Sequence, residues 1–490
     1  MRETHTSTLF FVGDRVYKLK KPVDLKFLDY TTVEARRTAC EREVALNRRF
    51  APDVYLGAGE IRVPHATPEP LVVMRRMPAE RRLSQLVREG AAVDDAVRDV
   101  ARLLATCHAD APRSQDVDAQ GTRDALSARW EASFAQVRAL TDKGPVPEGV
   151  EEIEWLVRRY LAGREQLFAL RIDQGRIVDG HGDLLADDIF CLDDGPRVLD
   201  CLEFDDHLRY VDGLDDVAFL AMDLEQLDAT ETAAFFLARY SEYSGDSAPP
   251  SLRHHYVAYR AFVRAKVSLI QAHQGAPGAD VAARQLITTT LRHLRTAAVG
   301  LTLVGGLPGS GKSTLSGALA DRLGVTLLSS DRLRKELAGI PVDQPAAAPY
   351  GEGLYTAEWT AKTYSTLLER ACALLSRGES VVLDATWSHE EQREAARRTA
   401  ERTSADLVAL HCQVPGAVSA SRLATRGRGA SDAGLDVATA MAQDEPPWTG
   451  AITVDSSGPL EASVAQALGA VHRSASGRAP VFRRPYMEPD

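Results

Sequence analysis

The chain has 490 residues, of which 44 % are hydrophobic and 26 % charged, and a net charge of −11. That length exceeds what one hydrophobic core supports, so two or three domains are expected, and the composition is that of an ordinary globular protein. The acidic balance argues against a dedicated nucleic-acid binder. The polar start Met1-Arg-Glu-Thr-His-Thr does not read as a signal peptide, and apolar runs such as Val217-Ala-Phe-Leu-Ala-Met stop at Asp223, too early to span a bilayer.

These features predict a cytoplasmic protein with no membrane segment. Cys40, Cys107, Cys191, Cys201, Cys372 and Cys412 show no C-x-x-C spacing and read as free thiols of a reducing compartment. Among 58 basic residues only nine are lysines, and four of these are Lys18, Lys20, Lys21 and Lys312. In a chain where arginine is the default cation, a retained lysine suggests a need for a compact point charge.

In chain order, Leu9-Phe-Phe-Val and Arg15-Val-Tyr-Lys-Leu-Lys predict a hairpin turning at Gly13-Asp14. A helix is expected over 31–50, started by Thr31/Thr32 and ended before Pro52, then a short strand at Leu71-Val-Val-Met74. Helical spacing runs from Asp94 to His108, and helices dominate to about residue 170. Residues 176–204 change pattern: a strand, an acidic loop, then Ile189-Phe-Cys-Leu and Arg197-Val-Leu-Asp joined by Asp193-Asp-Gly-Pro. Helices are expected again from about Val211 to Ala297. From Leu301 onward strands and helices alternate: strands at 301–304, 325–328, 380–384 and 407–411, with a helix over 312–323 and a long one ending near Leu375. That alternation predicts a parallel sheet covered by helices. The expected domains are 1–297 and 298–473, followed by a tail over 474–490.

Gly306-Leu-Pro308-Gly309-Ser310-Gly311-Lys312-Ser313-Thr314 matches G-x-x-x-x-G-K-[ST] between an apolar strand and a helix. Glycines let backbone N–H groups wrap phosphate, lysine neutralises the outer phosphate oxygens, and the hydroxyl ligates Mg²⁺. ATP and Mg²⁺ are therefore the expected cofactors. Asp331 follows one strand and Asp384 ends another, so both fall at the sheet edge that faces nucleotide. Either carboxylate also suits a helix cap, and Asp384 suits a metal or its water. Arg422, Arg426 and Arg428 run from a helix end into glycines, as in a lid over transferring phosphate; a solvated arginine face is the alternative.

On Gly306–Thr314, Ser330-Asp331-Arg332-Leu-Arg334, Val381-Val-Leu-Asp384-Ala-Thr and Arg422/Arg426, residues 301–470 resemble the small P-loop kinases. These include gluconate kinases, the polynucleotide 5′-kinase domain, chloramphenicol phosphotransferase and zeta toxins. The resemblance implies Asp331 as base on the acceptor hydroxyl and Arg334 as clamp on an acceptor anion.

The first half holds His181-Gly-Asp183-Leu-Leu-Ala-Asp-Asp188-Ile-Phe and Leu199-Asp200-Cys-Leu-Glu-Phe. Two short strands separate Asp183 from Asp200, so a hairpin can bring both to one mouth, where phosphoryl transfer wants a base and Mg²⁺ ligands. A solvated acidic loop is the alternative. H-G-D-L, an acid five residues on and D-x-x-E-F resemble the aminoglycoside-phosphotransferase-like kinases, relatives of the protein-kinase fold.

The resemblance covers roughly 1–297 and implies a bilobal α+β domain. Lys18 or Lys20 would be its nucleotide lysine, Glu43 the helix partner of that lysine, and Met74 to Met77 the hinge near adenine. Asp183 would be the base, with Asp188 and Asp200 as metal ligands. The chain departs from that pattern at Asp188, where asparagine is usual, at Leu185, where histidine is frequent, and in lacking a glycine-rich loop before Lys18. Lys18 and Lys20 share one strand face and stay unresolved. Together the halves resemble bacterial fusions of a phosphotransferase-like domain with a P-loop ATP-binding domain. Tyr259-Arg260-Ala-Phe-Val-Arg264-Ala-Lys266 reads as a surface helix face, with an anionic substrate met by its cations as the alternative.

Three readings follow. Both halves are small-molecule kinases with hydroxyl acceptors, or the first half is a binding or regulatory module for a single P-loop enzyme. The third, a nucleic-acid end kinase, is suggested by Asp331/Arg334 and disfavoured by net acidity.

Overall fold

The computed structural model describes residues 1–4, 6–24, 28–62, 64, 67–140, 147–342, 344, 352–425, 438–439, 441–442 and 446–475. Its contacts divide the chain into two compact units, one of residues 1–150, 168–248 and 253–293, the other of 151–167, 249–252 and 294–490.

The first unit opens with an antiparallel sheet of β1 (Arg2–Glu3), β2 (Ser7–Val12), β3 (Arg15–Lys20), β4 (Tyr55–Ile61) and β5 (Glu69–Arg75), ordered β1-β2-β3-β5-β4. Gly13 and Asp14 make the expected β2–β3 turn, with Gly13 at φ 59°. Strand alternation puts Val16, Lys18 and Lys20 on the buried face of β3. The helix Val33–Asn47 starts at Thr32, whose Oγ1 accepts the Ala35 N–H at 3.1 Å. β4 carries Gly57, Gly59 and a register shift at Tyr55/Gly57, which is why it lacks a legible alternation.

The rest of this unit is helical, with Asp94–Asp110, Arg123–Leu140, Gly213–Gln226, Thr230–Ser244, Pro250–His273 and Ala279–Thr296 as its main helices. Embedded among them are β6 (Ile177–Asp179), β7 (Ile189–Leu192), β8 (Gly195–Val198) and β9 (Tyr210–Asp212), where β6 pairs with β9 and β7 with β8. Two expectations are corrected. The β7–β8 turn is Asp193-Asp194 alone, with Gly195-Pro196 already inside β8, and residues 210–212 are strand before the helix begins at Gly213. One core cluster joins Val16, Cys40, Val44, Val72 and Met74 of the sheet-and-helix part to Phe190 and Leu199 beside the β7–β8 hairpin. The unit is thus a sheet lobe and a helical lobe sharing a seam.

The second unit is built on a parallel sheet of β10 (Gly300–Gly305), β11 (Thr326–Ser329), β12 (Val381–Asp384), β13 (Asp406–Gln413) and β14 (Ile452–Asp455), ordered β11-β12-β10-β13-β14. β14 was not anticipated, being a four-residue edge strand with one buried side chain. A core of Val304, Leu315, Leu319, Val382, Leu410, Val454 and Ala467 packs the helices Lys312–Leu323 and Leu460–Ala475 onto the sheet. Residues 151–167 join this unit through Arg159, ion-paired to Asp406 at 2.5 Å, and through buried Arg164, which donates to the Thr403 carbonyl at 2.7 Å.

The cysteines carry no disulfide. Among the described residues no helix is long and apolar enough to cross a membrane.

Candidate active sites

In the second unit, β10 runs into the loop and the loop into the helix Lys312–Leu323. Gly306 sits at φ 139°, and a Cβ there would lie 2.7 Å from the Cys412 carbonyl oxygen, so only glycine fits beside β13. Gly311, at φ 88°, caps the helix. Between them Pro308, Gly309 and Ser310 complete the turn, where the Ser310 N–H donates to the Leu307 carbonyl at 3.1 Å and Ser456 Oγ donates to the Ser310 carbonyl at 2.6 Å. Lys312 is buried, while Ser313 and Thr314 are exposed in the first turn. A glycine-rich turn running straight into a helix N-terminus supplies the backbone donors of an anion cradle.

The parallel register sets Asp384 beside Val304, next to the strand end from which the loop departs. One carboxylate oxygen accepts from Ser329 Oγ at 3.3 Å; the other, Oδ1, is buried without a hydrogen-bond partner among the described residues. Burial pushes this carboxyl up, with Lys312 and Ser313 opposing. An orphaned carboxylate oxygen beside the loop lysine and Ser313 is a donor set that fits Mg²⁺, which binds through one or two protein oxygens and keeps several waters. No helix follows Asp384 until Glu390, so it is not a cap. Neither is Asp331: the cap position of the helix Ser330–Leu337 is Ser329, and Asp331 lies in its first turn. Asp331 accepts from Arg334 Nη1 at 3.1 Å, and the buried Arg334 guanidinium lies over the Tyr355 ring at 4.7 Å.

Arg422, near the end of the helix Gly416–Thr425, donates to the Ser456 carbonyl at 2.7 Å, and a Cβ on Gly311 would lie 3.2 Å from its Nη1. It therefore reaches the loop. Arg426 and Arg428 lie outside the described residues. Sequence reasoning missed Tyr364, whose hydroxyl meets Thr386 Oγ1 at 3.1 Å and accepts the Trp387 N–H at 3.2 Å, fixing the turn after Asp384.

In the first unit, Lys18 and Lys20 both reach Glu43, at 2.8 and 2.5 Å, but their other partners differ. Lys18 Nζ also meets Asp200 Oδ1 at 2.6 Å, and the Asp200 side chain is 52 % exposed. Lys20 pairs with the largely buried Glu203, which also accepts from Tyr30 Oη at 3.0 Å, and its ammonium lies 5.5 Å from the Tyr30 ring centroid. Glu203 and Tyr30 were not assigned roles from sequence; the glutamate of D-x-x-E-F was the available signal. Burial would lower the Lys18 pKa, yet Asp200 and Glu43 raise it well above its usual value. Lys18 in turn holds Asp200 down at about 2.

The turn carrying Asp200 is pinned from the sheet lobe. Asp200, at φ 65°, donates its N–H to Tyr55 Oη at 3.1 Å, and Cys201 donates its N–H to Asn47 Oδ1 at 2.9 Å. A non-glycine residue in that conformation stores about 1 kcal/mol or more of strain, which these bonds offset. The loop before Asp183 is braced from below. Buried Asp216 accepts the His181 and Gly182 N–H groups at 2.7 and 2.8 Å and meets His108 Nε2 at 3.0 Å.

Burial pushes Asp183 up to about 6, Arg264 opposing and Asp200 adding. Asp188 is raised well above its usual value by burial and by the charges of Asp200 and Asp183. The three acids therefore share one electrostatic site, and their mutual repulsion is what a cation would relieve; Asp188 and Asp200 fit as oxygen ligands of Mg²⁺. Among the described residues no group of three or more histidines, cysteines or acids is drawn together as a full metal cage. Met74 is committed to the core, with Met77 packed against the same cluster. The expectation of a surface helix at 259–266 is corrected: Arg260 is only 5 % exposed and donates to Asp215 Oδ1 at 2.7 Å.

Residues 301–445 match a family described as "AAA domain". Over 471 residues the chain is 44 % identical to the uncharacterized protein Rv2004c of Mycobacterium tuberculosis, covering 95 % of this chain and 94 % of that one. Among solved structures, a gluconokinase from Sinorhizobium meliloti is 22 % identical, with 36 % of this chain and 94 % of that one covered at a TM-score of 0.28. A choline kinase from Cryptosporidium parvum is 14 % identical, with 60 % and 88 % covered at a TM-score of 0.40.

Proposed function

Starting from the premise that the chain belongs to the family of the mycobacterial protein Rv2004c, we propose that it is a bifunctional ATP-dependent phosphotransferase. Each half moves the γ-phosphoryl group of ATP to a hydroxyl of a small molecule. The observation that carries this reading is duplication. The first unit holds a buried lysine–glutamate pair whose lysine meets Asp200, with Asp183 and Asp188 within reach of the Asp200 charge, and the second holds a phosphate cradle with its own buried lysine and orphaned aspartate oxygen.

In the first unit Asp183 takes the acceptor proton as the hydroxyl oxygen bonds to the γ-phosphorus and the bond to the β–γ bridging oxygen breaks, releasing ADP. In the second unit Asp331 plays that part, Arg334 holds the acceptor, and Lys312 with the loop N–H groups neutralises the phosphates. Arg422 closes over the transferring group. Mg²⁺, held by Asp188 and Asp200 in one unit and by Asp384 and Ser313 in the other, supplies charge neutralisation when bound.

Equilibrium dialysis of the intact chain with labelled ATP analogue and Mg²⁺ is expected to give two nucleotides per chain. One per chain would leave the first half as a binding or regulatory module.

Lys18 is the nucleotide lysine of this reading, because Asp200 is an exposed, displaceable partner, whereas Lys20 is enclosed by buried ones. Lys18→Ala is expected to remove one nucleotide site and, since it leaves half of buried Glu43 but only the exposed Asp200 without a counter-charge, to lower Tm less than Lys20→Ala does. Lys20→Ala leaves Glu203 and half of Glu43 without a counter-charge and is expected to lower Tm by roughly 5 °C or more. The reverse pattern, read by thermal unfolding and nucleotide titration, contradicts the assignment.

A further inference from the structure

We infer that Arg264, with Arg260 one turn behind it, forms an anion-binding subsite beside Asp183, so that the acceptor of the first unit is a hydroxyl compound bearing a carboxylate, phosphate or sulfate group. This deepens the reading of that unit as a phosphotransferase and rests on it.

The helix Pro250–His273 lays Arg260 against the loop that carries Asp183. Its Nε donates to Asp215 Oδ1 at 2.7 Å, and its Nη1 donates to the carbonyl of Gly182, the residue before Asp183, at 3.4 Å. The guanidinium packs on Phe219 at 5.0 Å, and its Nη2 is buried with no hydrogen-bond partner among the described residues. Four residues is about one helical turn, so Arg264 follows on the same face. It is half-buried, and among the described residues it makes no hydrogen bond or ion pair.

Two acids feel its charge, Asp183 and Asp223, and Asp223 already accepts the Ala186 N–H at 2.9 Å. Of the other cations on this helix, Lys266 is directed to Ser133 Oγ at 3.4 Å. Half-buried and without a hydrogen-bond partner among the described residues, the Arg264 guanidinium has donors to offer, and its planar fork suits a bidentate oxyanion. An acceptor carrying ammonium groups would meet like charge at this point, which selects against it.

The test uses the full chain carrying Lys312→Ala, so that transfer by the second unit is silenced, and the probes are gluconate, glucose 6-phosphate, glucose and kanamycin. Transfer is expected to gluconate or glucose 6-phosphate, the two distinguishing a carboxylate from a phosphate requirement, and not to glucose or kanamycin. Adding Arg264→Ala is expected to raise the acceptor KM about 30-fold or more with kcat within a few-fold, while Arg264→Lys recovers part of the loss. Transfer to glucose or kanamycin that Arg264→Ala leaves unchanged overturns the inference alone. So does a variant that moves the pH profile and kcat but not KM, because Arg264 would then only tune Asp183. Loss of all transfer once Lys312 is replaced overturns the reading of the first unit as an enzyme, and the inference with it.

Discussion

Lys312→Ala is expected to lower phosphoryl transfer by the second unit about 10²–10³-fold in kcat/KM while leaving transfer by the first unit intact. Two losses combine in that figure. The ammonium that neutralises the phosphate oxygens is removed from a buried position in which it stands at the first residue of its helix. The same charge opposes the rise that burial imposes on Asp384. Without Lys312 that carboxyl is pushed further up and loses the neighbouring charge that favours its ionised, metal-binding form. Raising Mg²⁺ should therefore recover part, though not all, of the lost rate. Lys312→Arg should not rescue it, because a planar fork does not replace a compact ammonium at the mouth of a loop whose glycines leave so little room. Coupled-enzyme kinetics at graded Mg²⁺ reads both effects.

Asp183→Asn is expected to abolish transfer by the first unit, about 10³-fold or more, and at the same time to raise its Tm. Burial pushes the native carboxyl up to about 6. A carboxyl whose pKa rises on folding is ionised less readily in the native chain than in the unfolded one. Its penalty is absent below about pH 4, grows between there and pH 6, and is complete above that range. Removing the charge should thus raise Tm by roughly 2–5 °C at pH 7–8 and by nothing near pH 4. Activity of the unaltered chain should fall as pH drops through about 6, since the base must be unprotonated to act. Thermal unfolding across pH separates this account from a structural role for Asp183, in which the substitution would lower Tm at every pH.

Much of this was legible because local chemistry dictated it. The P-loop needs its glycines and lysine at fixed spacing, and the Gly13-Asp14 turn and the Thr32 cap are local signals too. The pairing of β7 with β8 followed from a short turn between two apolar runs. Non-local pairings were hidden. β9 finds β6 about thirty residues away, and β4 is diluted by Gly57 and Gly59.

Within the sites, the sequence placed Lys18 and Lys20 on one face and could go no further, because period-2 alternation makes them equivalent. What separates them is tertiary: a turn held by Tyr55 and Asn47 brings Asp200 to one, and Glu203 comes to the other. Arg260 misled for a related reason. Its arginine-rich stretch looks solvated, but the buried carboxylate that holds it inside, Asp215, lies 45 positions earlier.

The central claim is that two independent phosphotransfer centres share this chain, and crossed inactivation tests it most directly. Phosphorylation of a panel of sugars, sugar acids, sugar phosphates, aminoglycosides and nucleosides would be measured for the intact chain, Asp183→Asn and Lys312→Ala. The account predicts that each substitution abolishes transfer to a different acceptor and spares the other. If Lys312→Ala alone abolishes every transfer and Asp183→Asn none, the claim of two centres is contradicted.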